Sequence, residues 1–178
     1  MKVGRRNPIN PLLGGLLALA GCSQDAPSGA GIDPVYEQLL RRVYRADQPV
    51  IRPAELAQLL RADSGFILLD TRSAAEYAVS HLRGARHLDP ATATEAAVRG
   101  LPRHGPLIVY CSVGLRSQQV GEKLRALGFR DVRNLHGGIF QWTNEGRPLY
   151  DARGLTARIH PYSALWGIWL KRGQPAYQ

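Results

Sequence analysis

Apolar residues recur at helical spacing in two stretches near the start of the globular part of the chain. The first stretch comprises Val35, Tyr36, Leu39, Leu40, Val43 and Tyr44. The second comprises Leu56, Leu59 and Leu60, and it follows Pro53, a residue well suited to the first turn of a helix. Because residues three and four positions apart lie on one helical face, both stretches predict helices that pack against a core.

Shorter apolar runs further along the chain predict buried strands. They cover residues 66–69 before Asp70, residues 107–110 before Cys111 and, more weakly, residues 132–135. Helical patterns accompany them over residues 73–79, 91–99 and 117–127, the last ending at Gly128. This alternation of strand and helix predicts an α/β fold in which helices cover both faces of a mainly parallel sheet.

The N-terminal residues have the pattern of a bacterial export signal. The basic residues at its start are Lys2, Arg5 and Arg6. They precede an apolar run over residues 12–20 that is too short to span a bilayer comfortably. The run ends in Leu19-Ala20-Gly21-Cys22, which is similar to a lipobox, the motif whose cysteine receives a diacylglyceryl group and becomes the mature N-terminus. We predict a lipoprotein signal peptide over residues 1–21 and lipidation of Cys22; the alternative is an ordinary signal peptide with a chance cysteine.

Lipidation of Cys22 predicts a chain anchored on the periplasmic side of a bacterial membrane, because each buried methylene of an acyl chain favours the bilayer. Ser23 stands where an aspartate would resemble an inner-membrane retention signal, so the outer membrane is weakly favoured. Residues 22–34 are rich in Ser, Gly, Pro and Asp and predict the lipidated cysteine with a flexible spacer. The folded domain is expected over residues 35–150 and a C-terminal extension over residues 151–178.

The composition is that of a globular domain with a basic surface. Apolar residues make up 44% of the chain and charged residues 21%, and the formal net charge is +9. Loss of the three basic residues of the signal peptide lowers the charge to +6. Basic residues are scattered, which favours a solvated surface and only mildly supports anionic ligands, and a periplasmic address argues against a nucleic-acid partner. The five histidines show no metal-ligand spacing, so a zinc site is not expected.

Cys111 is the candidate nucleophile. It follows a predicted buried strand, and in parallel sheets ligands bind beyond the carboxyl ends of the strands. The next helix is predicted to begin near Ser117, so backbone amides of residues 112–117 and the helix dipole can face the sulfur, and Arg116 adds a full positive charge. These effects favour the thiolate, the nucleophilic form of cysteine. The alternative is a buried, inert thiol.

Three motifs in residues 66–149 resemble a single rhodanese (sulfurtransferase) domain. The first motif consists of Asp70-Thr71-Arg72, Glu76-Tyr77 and His81-Leu82-Arg83-Gly84-Ala85. The second is the active-site loop from Cys111 to Arg116, and the third is Leu135-His136-Gly137-Gly138 with Trp142, Gly146 and Pro148. Two residues depart from the family pattern, Ser80 where glycine is common and Arg83 where proline is common.

The resemblance implies a three-layer fold with about five strands and a double-displacement reaction. In that reaction Cys111 takes the outer sulfur of a small anionic donor, thiosulfate or a persulfide, and passes it to a thiol or cyanide. Backbone amides of the loop would bind the substrate and the persulfide, while Arg116 orients the donor. The loop residues are Ser112, Val113, Gly114, Leu115, Arg116 and Ser117. Asp70 and Arg72 are expected to pair and support the loops around the pocket, with no metal or organic cofactor.

Two alternatives to a sulfurtransferase remain at this point. Related phosphatases of the same fold use Cys-x5-Arg, whereas Cys111 and Arg116 form the smaller Cys-x4-Arg loop, and no aspartate within it could protonate a leaving alcohol. The other alternative is a non-catalytic binding module of the cell envelope, although such a module has no need of an activated thiol. Ser112, where thiosulfate-specialised relatives often carry charge, leaves the identity of the donor open.

The C-terminal extension carries an aromatic cluster between residues 155 and 172, with Tyr162, Trp166 and Trp169. Such large side chains commonly cover an otherwise exposed flank of a domain. The alternative is a contact with an envelope protein partner or with the membrane.

Overall fold

A computed structural model describes residues 1, 31–62 and 65–177 of the chain. The predicted signal peptide beyond its first residue, Cys22, Ser23 and most of the predicted spacer lie outside the described residues. Within the described part, no helix is long and apolar enough to cross a membrane.

The centre of the molecule is a five-stranded, fully parallel sheet. Its strands are β1 (Val50–Ile51), β2 (Ile67–Asp70), β3 (Arg86–His87), β4 (Pro106–Tyr110) and β5 (Asp131–Leu135), in the spatial order β1-β5-β4-β2-β3. In the register, Asp70 lies beside Tyr110, and Val109 lies beside Asn134. The parallel register brings the carboxyl ends of β2, β4 and β5 to the same edge of the sheet, and the residues that follow these strands meet there.

Helices cover both faces of this sheet. They are α1 (Pro34–Val43), α2 (Pro53–Ala62), α3 (Ala74–Val79), α4 (Glu95–Val98), α5 (Leu115–Ala126) and α6 (Gly138–Asn144). Alternate strand residues point to opposite faces, and the core divides accordingly. Ile108 and Tyr110 pack in a cluster with Leu40 of α1, whereas Leu107 and Val109 pack in a second cluster with residues of α5.

The predicted helix over residues 91–99 is wrong in length. Only Glu95–Val98 is helical, and it begins where the Thr94 hydroxyl accepts a hydrogen bond from the amide of Ala97. Asp89 bonds the amide of Ala91 and holds the preceding residues in a turn. Side-chain bonds of this kind compete with helix formation, which explains why a helical apolar pattern here gives only one turn.

The C-terminal extension folds against the domain. Its strand β7 (Gly154–Thr156) forms a hairpin with β6 (Leu149–Asp151), which lies at the end of the predicted domain. The extension also contains the parallel pair β8 (Arg158–Ile159) and β9 (Gln174–Pro175) and the one-turn helix α7 (Ala164–Gly167). Ile159 is fully buried in the main core cluster. Trp169 stacks on Tyr36 of α1 with ring centroids 5.3 Å apart, and the Asn144 side-chain amide donates to the Trp169 carbonyl. The extension therefore shares the core of the domain.

Candidate active site

The loop after β4 turns sharply at Gly114 and runs directly into α5. Gly114 has a φ of +103°, and a Cβ atom there would collide with the hydroxyl of Tyr44. Glycine is the residue that adopts this conformation without strain. Because Gly114 is the N-cap, α5 begins at Leu115, two residues before the predicted start near Ser117.

All four carbonyl groups from Cys111 to Gly114 are held by donors outside the loop. The donors are the amide of Ile139 for Cys111, the amide of Phe140 for Ser112, the Tyr44 hydroxyl for Val113, and the Asn134 side chain with the amide of Gln118 for Gly114. Since the carbonyl groups are bonded away from the centre of the loop, its amide groups are free to turn toward the sulfur.

Gly138 allows the N-terminus of α6 to approach the carbonyl groups of the Cys111 loop. It has a φ of +59°, and a Cβ atom on it would lie 2.5 Å from the carbonyl oxygen of Ser112. The first amides of α6, those of Ile139 and Phe140, can therefore approach the loop closely enough to donate at 2.9 and 3.1 Å. The N-terminus of α6 thus binds the back of the loop.

Cys111 lies at the bottom of this loop with 1% of its surface exposed. The amide of Gly114 donates a hydrogen bond to its sulfur across 3.1 Å. The N-terminus of α5 is directed at the same place, so an amide and the positive end of a helix dipole both stabilise negative charge on the sulfur. The structure places the predicted nucleophile where a thiolate or persulfide anion would be stabilised.

Arg116 is paired with a carboxylate beside the loop. Its Nη1 and Nη2 donate to the carboxylate of Glu76 at 2.8 and 2.7 Å, and Nη2 also donates to the Ser112 hydroxyl at 3.0 Å. Burial of Glu76 favours its neutral form, but the hydrogen bonds and charge of Arg116 outweigh burial and lower the pKa of Glu76 to about 2. The pair is therefore fully ionised at neutral pH and has no net charge.

Asp70 and Arg72 form a second, wholly buried ion pair. Arg72 Nη2 lies 2.6 Å from Asp70 Oδ2, and both side chains have no exposed surface. Arg72 also donates to the carbonyl of Ser80 and packs over the ring of Tyr110. The Thr71 amide donates to the Tyr110 carbonyl at 2.8 Å. The pair thus joins the loop after β2 to the end of α3 and to β4, the strand that immediately precedes Cys111.

A small pocket of about 80 Å³ opens above the loop. It is lined by Cys111, Ser112, Val113, Leu115, Arg116, Tyr162 and Trp166. Five of these residues come from the predicted loop, whereas Tyr162 and Trp166 come from the C-terminal extension. Ser117, also predicted for the loop, lies behind it and donates its hydroxyl hydrogen to the Asn134 side chain at 2.7 Å. Asp70 and Arg72 do not line this pocket.

Several residues that shape the site were missed by the sequence reasoning. Tyr44 and Asn134 hold the carbonyls of the loop, Glu76 pairs with Arg116, and Tyr162 and Trp166 form a wall. Glu76 had a visible signal, because it stands in the first family motif, but Ser73-x-x-Glu76 is also a capping box and both of its bonds are present. The aromatic cluster was visible, whereas its position above Cys111 was not.

His81 and His136, the histidines of the first and third motifs, make structural contacts. His81 Nδ1 lies 3.1 Å from the carbonyl of Tyr77, in a hydrogen bond within the turn after α3. His136 lies 2.7 Å from the Glu37 carboxylate and packs against the ring of Tyr44. Across residues 31–62 and 65–177, no three His, Cys, Asp or Glu side chains are grouped closely enough to hold a metal ion.

Comparison with known proteins identifies the family. Two solved structures share the fold. A Bacillus halodurans protein has a TM-score of 0.56 at 23% identity, and the match covers 67% of this chain and 86% of that protein. The rhodanese-like domain of the Anabaena Alr3790 protein has a TM-score of 0.54 at 26% identity, and the match covers 58% of this chain and 80% of that domain. The rhodanese-like domain model matches residues 52–145, more than half of the chain. The chain belongs to the rhodanese-like domain family, and the predicted α/β fold with a five-stranded parallel sheet is confirmed.

A curated relative adds the class of reaction. The thiosulfate sulfurtransferase GlpE of Pseudomonas putida (strain GB-1) is 37% identical over 90 residues, which are 51% of this chain and 81% of GlpE. The predicted sulfurtransferase class is thereby supported at the level of the family.

Proposed function

We propose that the chain is a lipid-anchored periplasmic sulfurtransferase that carries sulfane sulfur on Cys111. The donor is a small anion, thiosulfate or a persulfide, and the acceptor is a thiol or cyanide. The observation that carries the proposal is the loop itself, in which four outward-bonded carbonyls leave a cradle around a sulfur that accepts a hydrogen bond from Gly114.

The reaction runs in two displacements. In the first, the Cys111 thiolate attacks the outer sulfur of the donor, the sulfur–sulfur bond of the donor breaks, and its electron pair leaves on sulfite or on a thiolate. Cys111 then carries a persulfide anion. In the second, the acceptor attacks the terminal sulfur and the Cys111 thiolate leaves. Covalent catalysis of this kind divides one transfer into two steps and gives ping-pong kinetics.

The surroundings of Cys111 support both steps. The amide of Gly114 and the N-terminus of α5 stabilise the thiolate before attack and the persulfide after it. Cys111 is the only cysteine besides Cys22, so a lipidated Cys22 leaves no resolving thiol in the chain. The sulfur then passes to another molecule instead of being released by an internal disulfide.

Intact-mass measurement tests the transfer. The full-length chain, extracted in mild detergent, is incubated with thiosulfate or with a persulfide and weighed. We expect a gain of one sulfur atom that disappears on addition of cyanide, and no gain in Cys111→Ser. Ser80→Ala, a buried change outside the loop, is the matched control and should gain the sulfur. No adduct with any donor would favour the non-catalytic binding module.

The lipid anchor is proposed from the sequence alone and needs its own test. Growth with a labelled fatty acid should label the wild-type chain and place it in the membrane fraction. Cys22→Ala should abolish the label, and the protein should remain unprocessed or leave the membrane fraction. Ser23→Ala should keep the label, since it spares the cysteine. Unchanged labelling of Cys22→Ala would overturn the proposed anchor.

A further inference from the structure

The pocket above Cys111 has a wall that lies outside the family match. Tyr162 and Trp166 line this pocket, yet both follow residue 145, where the match ends. We infer that these two aromatic side chains select the sulfur donor, and that they favour a singly charged sulfane-sulfur compound with an apolar substituent over the thiosulfate dianion. The inference rests on the proposed function and names the donor class that the function leaves open.

The charge of the pocket argues against a dianion. Arg116 is the positive side chain that lines it, and its guanidinium is held by the Glu76 carboxylate at 2.7 and 2.8 Å. The Arg116–Glu76 pair is neutral overall. A dianion that enters the pocket therefore loses the hydration of two negative charges and gains little electrostatic attraction to the pair. A singly charged donor loses less hydration on entry.

Tyr162 further covers the guanidinium. The Cζ atom of Arg116 lies 4.5 Å from the centroid of the Tyr162 ring, a cation–π contact that occupies one flat face of the guanidinium. Both terminal nitrogens of Arg116 already donate to Glu76, and Nη2 also donates to Ser112. Arg116 is thus more suited to shaping the pocket than to binding a sulfonate in two-point fashion.

Apart from Arg116 and Ser112, the lining is formed by Cys111 and by apolar and aromatic side chains. Val113 and Leu115 face the pocket from the loop, and Tyr162 and Trp166 face it from the extension. Aromatic rings favour contact with other apolar or aromatic groups, which they desolvate on binding. A donor with an apolar substituent can place that substituent on this wall while its outer sulfur reaches Cys111.

The aromatic wall is held in place by hydrogen bonds within the extension and by packing of Trp166 and Trp169 against the main core cluster. The Ser163 hydroxyl accepts a hydrogen bond from the amide of Trp166, and Trp169 stacks on Tyr36. Tyr162 has a φ of +64°, a left-handed conformation that costs a side-chain-bearing residue free energy and persists only where surrounding contacts hold it. The wall is therefore a preformed surface.

The chemistry is the same for the favoured and disfavoured donors. The Cys111 thiolate attacks the outer sulfur of a thiosulfonate, R–SO2–S⁻, the donor's sulfur–sulfur bond breaks, and the electron pair leaves on the sulfinate R–SO2⁻. From an organic persulfide, R–S–S⁻, the leaving group is the thiolate R–S⁻. In each case one sulfur is transferred, Cys111 gains a persulfide anion, and total charge is conserved.

Matched donors separate charge from the apolar contact. Thiosulfate and methanethiosulfonate differ chiefly in charge, and methanethiosulfonate and benzenethiosulfonate differ in the apolar group. The rate of sulfur gain on Cys111 is measured by intact mass for the full-length chain with each donor, with kcat and KM separated. Freshly generated benzyl persulfide serves as the fourth donor and shows whether a thiolate leaving group is accepted in place of a sulfinate.

We expect the wild-type chain to rank benzenethiosulfonate above methanethiosulfonate and both above thiosulfate in kcat/KM, each step by about tenfold. Trp166→Ala and Tyr162→Ala should remove most of the preference for benzenethiosulfonate over methanethiosulfonate, because the KM for benzenethiosulfonate rises. Leu165→Ala, a neighbouring α7 residue with 73% of its surface exposed, is the matched control and should keep the ranking. Circular dichroism and melting of each variant show that it is folded.

The outcomes distinguish this inference from the proposed function. Sulfur gain with thiosulfate as the best donor, or the same ranking in Trp166→Ala, Tyr162→Ala and Leu165→Ala, would overturn the selection by the wall while leaving the transferase in place. If Trp166→Ala and Tyr162→Ala raise the rate of sulfur gain equally for all four donors, the inference is also wrong. The wall would then hinder the entry of every donor without selecting among them. No adduct with any donor would defeat the proposed function itself.

Discussion

Glu76 accepts hydrogen bonds from both terminal nitrogens of Arg116 although forty residues separate the two in the chain. The pair joins α3 to the first turn of α5 next to the Cys111 loop. Its geometry is two-point, and the Glu76 side chain is 3% exposed, so the ion pair is far better shielded from solvent than a surface pair. The loop is therefore tied to the helix that follows β2.

Stability should depend on pH through Glu76. Its pKa is lowered from the ordinary 4.5 to about 2 in the folded chain. Because the folded chain binds the Glu76 proton more weakly than the unfolded chain does, the ionised carboxylate stabilises the fold. This contribution to the free energy of unfolding is about 3 kcal/mol at most. It is present above pH 4.5, the pKa in the unfolded chain, and is lost as the pH falls toward 2. Urea unfolding of wild type and Glu76→Gln at pH 7 and pH 3 measures it.

The difference in unfolding free energy between wild type and Glu76→Gln should shrink by over half from pH 7 to pH 3. Asp131→Asn provides the control, because Asp131 pairs with Arg133 on the surface, with 36% and 42% of their side chains exposed. Its effect should be under about 1 kcal/mol at both pH values. A wild-type advantage over Glu76→Gln that is equal at pH 7 and pH 3 would contradict the role of this carboxylate.

The turn at Gly114 provides a prediction about the loop. Gly114→Ala forces a side chain into a left-handed conformation and against the Tyr44 hydroxyl, which holds the carbonyl of Val113. We expect a loss of about 2 kcal/mol or more in stability and at least about tenfold slower sulfur gain on Cys111, because the loop amides shift. Melting and intact-mass kinetics measure both.

Gly100→Ala is the comparison for Gly114→Ala. Gly100 has open space around its Cα and no left-handed backbone, so an added methyl group should change neither melting nor sulfur gain. If Gly114→Ala loads sulfur at the wild-type rate, the conformation at residue 114 does not govern the loop.

Much of the fold could be predicted because the longer helices and strands leave a recognisable pattern of apolar residues in the sequence. The strands β2 and β4 contain four or five residues that alternate between the two core clusters, so they read as continuous apolar runs. The strand β5 carries Arg133 and Asn134 between Val132 and Leu135, so its signal in the sequence is weaker. The strands β1 and β3 contain two residues each and have no period to read. They are defined by pairing with β5 and β2, which are distant in sequence.

The candidate site divides in the same way. Cys111 and Arg116 could be found because six consecutive residues contain the whole loop. Tyr44 and Tyr162 could not, since Tyr44 lies 69 residues before the carbonyl it bonds and Tyr162 reaches the pocket only through the fold of the extension. Local spacing reveals a loop, whereas the walls and supports of the loop depend on tertiary contacts.

The buried pair of Asp70 and Arg72 should be costly to break. Asp70→Asn leaves the Arg72 guanidinium without exposed surface and without its counter-charge, and removal of one partner of such a pair costs about 3–5 kcal/mol. Asp47→Asn, at an exposed pair with Arg45, should cost under about 1 kcal/mol. Urea unfolding at pH 7 compares them, and equal small losses would show that the buried pair is dispensable.

The C-terminal extension should contribute to the stability of the domain through Ile159. Its side chain is fully buried in the main core cluster, so Ile159→Ala removes buried methyl groups and leaves a cavity, at a cost of about 2–4 kcal/mol. Leu165→Ala, in the same extension but largely exposed, should leave the melting temperature unchanged.

Deletion of residues 155–178 should lower the melting temperature by about 10 °C or more, because Trp169 then no longer covers Tyr36. A deletion variant that melts with the wild type would mean that these aromatics serve a partner or a membrane surface instead of the core.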